Sequence, residues 1–128
     1  MRKSEVKEIT ETEKKKQAER TRRADEYLRG YTLHKRMLRL EGYEKKRALS
    51  SEWEEYSPGE LPLARARMFE VRHTIMSLPN CDEKLILYYR YVKGEPVERC
   101  ADMLGMSRSS AFRLRRRALV MIADKLGI

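Results

Sequence analysis

Five arginines, Arg108, Arg113, Arg115, Arg116 and Arg117, fall between Met103 and Ala123, and no acidic residue lies among them. A guanidinium offers a rigid fork of donors that matches a phosphate oxygen pair or the O6/N7 edge of guanine. On a helix of about 3.6 residues per turn, Ser109, Arg113 and Arg116 share one face, with Phe112 at its edge. Ser110 and Arg117 flank this face on one side, Arg108 and Arg115 on the other. The opposite side carries Ala111, Leu114, Ala118, Met121, Ile122 and Lys125. Residues near the start of a helix laid in a major groove reach deepest. The pattern therefore predicts base-edge contacts for Ser109, Phe112 and Arg113, with Phe112 against a thymine methyl. It predicts phosphate contacts for Arg108, Ser110, Arg116 and Arg117. A solvated surface helix is the plain alternative, but it gives no reason for the complete lack of acids within the segment.

The residues upstream have the spacing of a tight bihelical turn. Ala101 lies inside a short helix expected from Val97 to Leu104, Gly105 follows four residues later, and Ser107 precedes the arginine-bearing helix. Helices that cross steeply leave room only for a small side chain, which suits Ala101. The turn calls for a positive φ, which Gly105 adopts cheaply. Ser107 is placed to cap the second helix through its hydroxyl. Met106 is expected to fill the wedge, with Ala111 and Leu114 anchoring the second helix from within. Together these are the parts of a helix-turn-helix.

Catalytic chemistry has no comparable support. His34 and His73 are isolated within basic stretches and are expected at the surface. No nucleophile–base set, phosphate-binding glycine loop or metal-ligand spacing occurs, so no enzyme activity and no cofactor are expected. Cys81 and Cys100 do not pair into such a spacing, and Cys100 sits at an apolar position suited to a small core residue. Asp82, Glu83 and Asp102 suit caps and surface charge.

The elements that must hold this surface are helical. The chain has 128 residues, a net charge of +9, and only six Gly and four Pro, which disfavours many short strands. The fold class expected is all-α: a helical N-terminal arm before a compact helix-turn-helix domain. Residues 1–49 read as the charged helical arm: a solvated helix or a disordered arm over 1–25, and one helix or two over 26–48, where Gly30 and Gly42 weaken the pattern. Residues 50–62 read as an acidic linker, with Trp53 and Tyr56 available to dock on a neighbour. Residues 63–128 read as the DNA-binding domain. Its first helix starts at Leu63, buries Ala64, Met68, Val71, Ile75 and Leu78 as one stripe, and ends at Pro79. Asn80 and Glu83 offer a capping box for the next helix, which carries Leu85, Ile86, Tyr88, Tyr89 and Val92 and stops at Gly94. No segment is apolar enough for a membrane span, and the charged start has no secretory character, so a cytoplasmic location is expected.

The string from LPNCDEKLILYYRYVKGEPVERCADMLGMSRSSAFRLRRRALVMIADKL, about 50 residues, resembles region 4 of sigma-70 factors. The features that match are the Leu-Pro opening, Arg-Tyr before the Gly turn, the Ala-x-x-x-Gly-x-Ser core and the Arg-Ala-Leu after the second helix. The whole layout is similar to phage and prophage transcriptional regulators of the ArpU and RinA type. The resemblance implies binding of double-stranded DNA in transcription regulation, with RNA polymerase as a further partner. Ala111 and Phe112 depart from the family, where Val or Ile and a polar residue are common, so no base preference carries over. One helix reads only one half-site, which implies a homodimer or polymerase as co-binder. Two rival functions share the same parts: a DNA-packaging adaptor of the small-terminase kind, which a ring assembly would favour, and a polymerase-binding helical protein, for which the arginine face would be dispensable.

Overall fold

The computed structural model describes residues 2–47 and 60–128, with side chains over 11–39 and 63–128. The helices are α1 (Arg2–Arg47), α2 (Glu60–Met76), α3 (Asp82–Leu87, continued by a π-helical turn over Tyr88–Val92), α4 (Val97–Leu104) and α5 (Arg108–Leu126). No strand occurs among the described residues. The fold is all-α.

α1 is one continuous helix of 46 residues, roughly 70 Å long at about 1.5 Å per residue. Of the alternatives, residues 2–25 take the helical one, and Gly30 and Gly42 do not divide the segment. The segment has no proline and is rich in Lys, Glu and Arg, all strong helix formers. Salt bridges one turn apart add support: Arg22 with Glu19 and Glu26, Arg23 with Glu19, and Arg29 with Asp25. Each such pair is worth only a few tenths of a kcal/mol, roughly. What fixes the middle of α1 is burial. Ala24, Leu28 and Tyr31 recur at helical spacing and join the same hydrophobic core as the rest of the chain.

α2 runs back along α1. The Tyr27 hydroxyl lies 3.2 Å from Thr74 Oγ1, while Leu38 shares a groove with Arg65 and Phe69, so the two helices form an antiparallel hairpin. The helix starts at Glu60, three residues before the expected Leu63, so residues 60–62 belong to it and not to a linker. Pro62 is tolerated there because amides in the first turn lack intrahelical acceptors. The rest of the expected linker, with Trp53 and Tyr56, lies outside the described residues. The stripe of Ala64, Val71, Ile75 and Leu78 is buried as its spacing predicts, with Met68 packed at its edge.

The capping box expected at Asn80 does not form. Cys81 takes the N-cap position with extended backbone and no side-chain cap bond. Asn80 sits one residue too early, and its Oδ1 accepts instead from Lys84 Nζ at 3.1 Å. Ile86 and Leu87 are buried, whereas Leu85 is exposed and Tyr88 and Tyr89 are half-buried. The π-helical turn, closed by Lys93 N–H donating to the Tyr88 carbonyl at 3.0 Å, widens the helix. Tyr91 and Val92 are both buried there.

α4 and α5 close the core. Val97, Cys100 and Ala101 on α4 meet Ala111, Leu114, Ala118, Leu119, Ile122 and Ala123 on α5. Lys125, expected on the inner face, is exposed. Leu119 and Ala123 are buried in the part of α5 that α1 covers. α1 runs antiparallel to α5: Arg20 reaches Asp124 and the Ile128 carbonyl, and Asp25 reaches Arg115.

Candidate nucleic-acid interface

The turn between α4 and α5 has the geometry its residues predict. Gly105 ends α4 with φ +67° and ψ +37°. The Met106 amide donates to the Ala101 carbonyl at 3.0 Å and the Gly105 amide to the Asp102 carbonyl at 3.2 Å, which satisfies the last carbonyls of the helix. Ala101 is buried at the crossing and Met106 packs half-buried against the core. Ser107 adopts the extended N-cap conformation, and its Oγ accepts from the Ser110 amide at 3.1 Å. The Ser107 hydroxyl also lies 2.9 Å from Ser110 Oγ. Ser110 is thus part of the cap as well as of the exposed surface.

Every residue assigned to DNA is exposed. Ser109, Phe112, Arg113, Arg108, Ser110, Arg116 and Arg117 all face solvent at the outer side of α5. Phe112 is 40% exposed, unusual for an aromatic ring on a helix whose other side builds the core. The first half of α5 therefore presents an uninterrupted polar and aromatic strip that no other element covers.

The structure divides the five arginines by their partners. Arg113 and Arg116 have no ion-pair partner among the described residues. Arg108 reaches Glu98 on α4 at 2.8 Å and stacks over the Phe112 ring, 5.7 Å from its centroid. Arg117 Nε lies 3.6 Å from Glu83 on α3. Arg115 has left the outer face. It is half-buried, with NH2 donating to Asp25 Oδ1 at 2.8 Å. Its Nε is buried without a partner.

Asp25 is the hub of that inner cluster. It also accepts from the Tyr91 hydroxyl at 2.5 Å and pairs with Arg29 Nε at 2.8 Å. Burial raises its carboxyl pKa, yet the Tyr91 hydroxyl and the Arg115 and Arg29 guanidiniums outweigh burial and hold it below the ordinary carboxylate value. Sequence reasoning missed Asp25 and Glu98, and it gave Glu83 a capping role in place of its pairing with Arg117. A helical wheel sees only neighbours on its own helix, and all three acids come from other helices.

The histidines are placed differently from one another. His73 is exposed and stacks on Phe69, with ring centroids 6.0 Å apart. His34 is half-buried, and its Nδ1 is buried without a partner, which corrects the expectation of a surface residue. Cys100 is buried in the core and Cys81 is half-buried; both are free thiols. Among the described residues no cluster of His, Cys, Asp or Glu could hold a metal ion. No helix there is long and apolar enough to cross a membrane. No family model, curated protein or solved structure matches the chain, so what the α5 strip binds has to be argued from its own geometry and charge.

Proposed function

We propose that the chain binds double-stranded DNA by laying α5 in the major groove, as a transcription regulator of the phage and prophage type whose last 50 or so residues resemble sigma region 4. In this reading α4 and α5 form a helix-turn-helix. Ser109, Phe112 and Arg113 meet base edges, and Arg108, Ser110, Arg116 and Arg117 grip phosphates. The observation that carries the reading is the outer strip of α5: Arg113 and Arg116 stand exposed without an ion-pair partner among the described residues, on a chain of net charge +9. Two exposed guanidiniums one turn apart repel each other. A polyanion removes that cost and converts it to binding through counterion release.

One helix of this length reads few base pairs. The reading therefore includes a second contributor to specificity, either another copy of the chain or RNA polymerase beside it. The test is selection from a pool of random duplexes with the purified full chain, followed by sequencing of the retained fragments. A palindromic motif supports a homodimer on two half-sites. A single short element beside promoters supports joint binding with polymerase. Retention with no sequence enrichment at moderate salt would overturn sequence-specific reading.

A further inference from the structure

Two of the arginines assigned to phosphates are already occupied. Arg108 is held between the Glu98 carboxylate at 2.8 Å and the face of Phe112. Arg117 lies 3.6 Å from Glu83. Neither acid shares α5 with its arginine: Glu98 stands in the first turn of α4 and Glu83 in the first turn of α3. Both pairs sit at the margin of the exposed strip, and both arginines remain largely in solvent. We propose that Glu98 and Glu83 are internal rivals of the DNA phosphates, holding Arg108 and Arg117 until a phosphate replaces each carboxylate.

The physical grounds are the strength and placement of the pairs. Exposed ion pairs are weak, because water screens the attraction and ordering two long side chains costs entropy. Such a pair lasts while nothing better is present and exchanges readily for a phosphate in a duplex, where counterion release adds to the gain. The exchange at Arg108 does a second thing. While Arg108 is tied to Glu98 it lies over part of one face of the Phe112 ring, so its departure to a phosphate exposes more of the side chain assigned to a base. Phosphate capture and base reading are thereby linked at one residue. The carboxylates make the resting surface less attractive to DNA of any sequence, leaving Arg113 and Arg116 as the first points of contact.

This inference rests on the DNA-binding reading, and the experiment separates the two. Affinity of the full chain for a short duplex of scrambled sequence is measured across a salt titration for the wild type, Glu98→Gln, Arg108→Ala and the double variant. Asp102→Asn serves as a control, since it removes the same charge from the same exposed side of α4, where no arginine among the described residues pairs with it. Glu98→Gln should tighten binding roughly two- to fivefold and steepen the salt slope by up to about 0.9. In the Arg108→Ala background its effect should shrink to that of Asp102→Asn. Glu83→Gln should act in the same direction but less, given the longer separation. If Glu98→Gln acts no more strongly than Asp102→Asn, or acts equally with and without Arg108, the rivalry is overturned while DNA binding stands. A wild-type chain that leaves the duplex unbound even at low salt overturns both.

Discussion

The carboxylate of Asp25 on α1 and the guanidinium of Arg115 on α5 meet at 2.8 Å although 90 residues separate them in the chain. Their side chains are only 17% and 23% exposed. The same carboxylate accepts from Tyr91 in the π-helical turn. One acid thus joins the long N-terminal helix, the π turn and the arginine-bearing helix. Arg115 belongs to the interior of the molecule, and its guanidinium is spent on holding α5 in place.

Asp25→Ala should therefore destabilise the fold. It leaves the Arg115 charge half-buried without a counterion and the Tyr91 hydroxyl without its acceptor. Breaking a fully buried pair costs about 3–5 kcal/mol; partial exposure here lowers the expectation to about 1–3 kcal/mol. Urea unfolding of the full chain measures it. A loss below about 0.5 kcal/mol, the ordinary effect of a surface change, would mean that the cluster does not tie α1 to α5.

The same cluster sets a pH dependence with a definite sign. In the folded chain the Asp25 carboxyl lies below its ordinary value of 3.8. The unfolded chain therefore takes up this proton more readily. The stabilisation is complete above the unfolded value and is lost as pH falls through the lower folded value. Wild type and Asp25→Asn, which cannot titrate, should differ most near neutral pH and converge as the pH falls below the ordinary carboxylate value of 3.8. Melting curves across that range give the comparison. A gap that widens on acidification would contradict the depressed pKa.

Some of this architecture was legible in the sequence, for reasons tied to range. The α4–turn–α5 unit depends on contacts within a few residues: Ala101 with Met106, Gly105 with its own φ, Ser107 with Ser110. Such signals survive in a linear string. The N-cap of α3 fell one residue from its expected place because Asn80 and Cys81 both precede the acidic first turn, and only backbone conformation decides between them. The role of α1 was not legible. Its mixed charges look like a solvated arm, and Asp25 finds its partners 66 and 90 residues away. Arg115 sits beside the buried stripe on the helical wheel, so whether it turns inward depends on α1 alone. The pairing of Arg108 and Arg117 was hidden likewise, since the strip contains no acid of its own.

Gly105 offers a test of the turn that is independent of DNA. Its φ is +67°, and a Cβ placed there would meet nothing within 4 Å. Any cost of substitution is therefore backbone strain and not a clash. Gly105→Val should lose about 1–3 kcal/mol, because a β-branched residue resists the left-handed region. Gly105→Asn should lose less, since asparagine visits that region more readily. Thermal melts of the two variants decide the matter; equal stability of Val and Asn would assign the turn a different conformation.

Arg113→Ala addresses base reading. Arg113 stands exposed on the face shared with Ser109, about one and a half turns into α5, with no ion-pair partner among the described residues. If its fork meets a guanine, its removal should cost about 1–3 kcal/mol on the selected sequence and much less on scrambled duplex. The fold should be little affected, since Arg113 is exposed and makes no ion pair among the described residues. Equal weakening on both duplexes would move Arg113 from the base-reading group to the phosphate group.

Arg116→Ala separates the two kinds of contact. Arg116 lies one turn further along the same exposed face and also lacks an ion-pair partner among the described residues. A phosphate contact is blind to sequence, so binding should weaken by a similar factor on selected and scrambled duplexes. Loss of one released counterion should reduce the slope of log affinity against log salt by about 0.9. Arg115→Ala is the informative contrast. Its charge is turned inward to Asp25, so it should lower stability while leaving the salt slope of the folded protein close to that of the wild type. If Arg115→Ala reduces the slope as much as Arg116→Ala does, then Arg115 leaves Asp25 on binding and the division between inner and outer arginines fails.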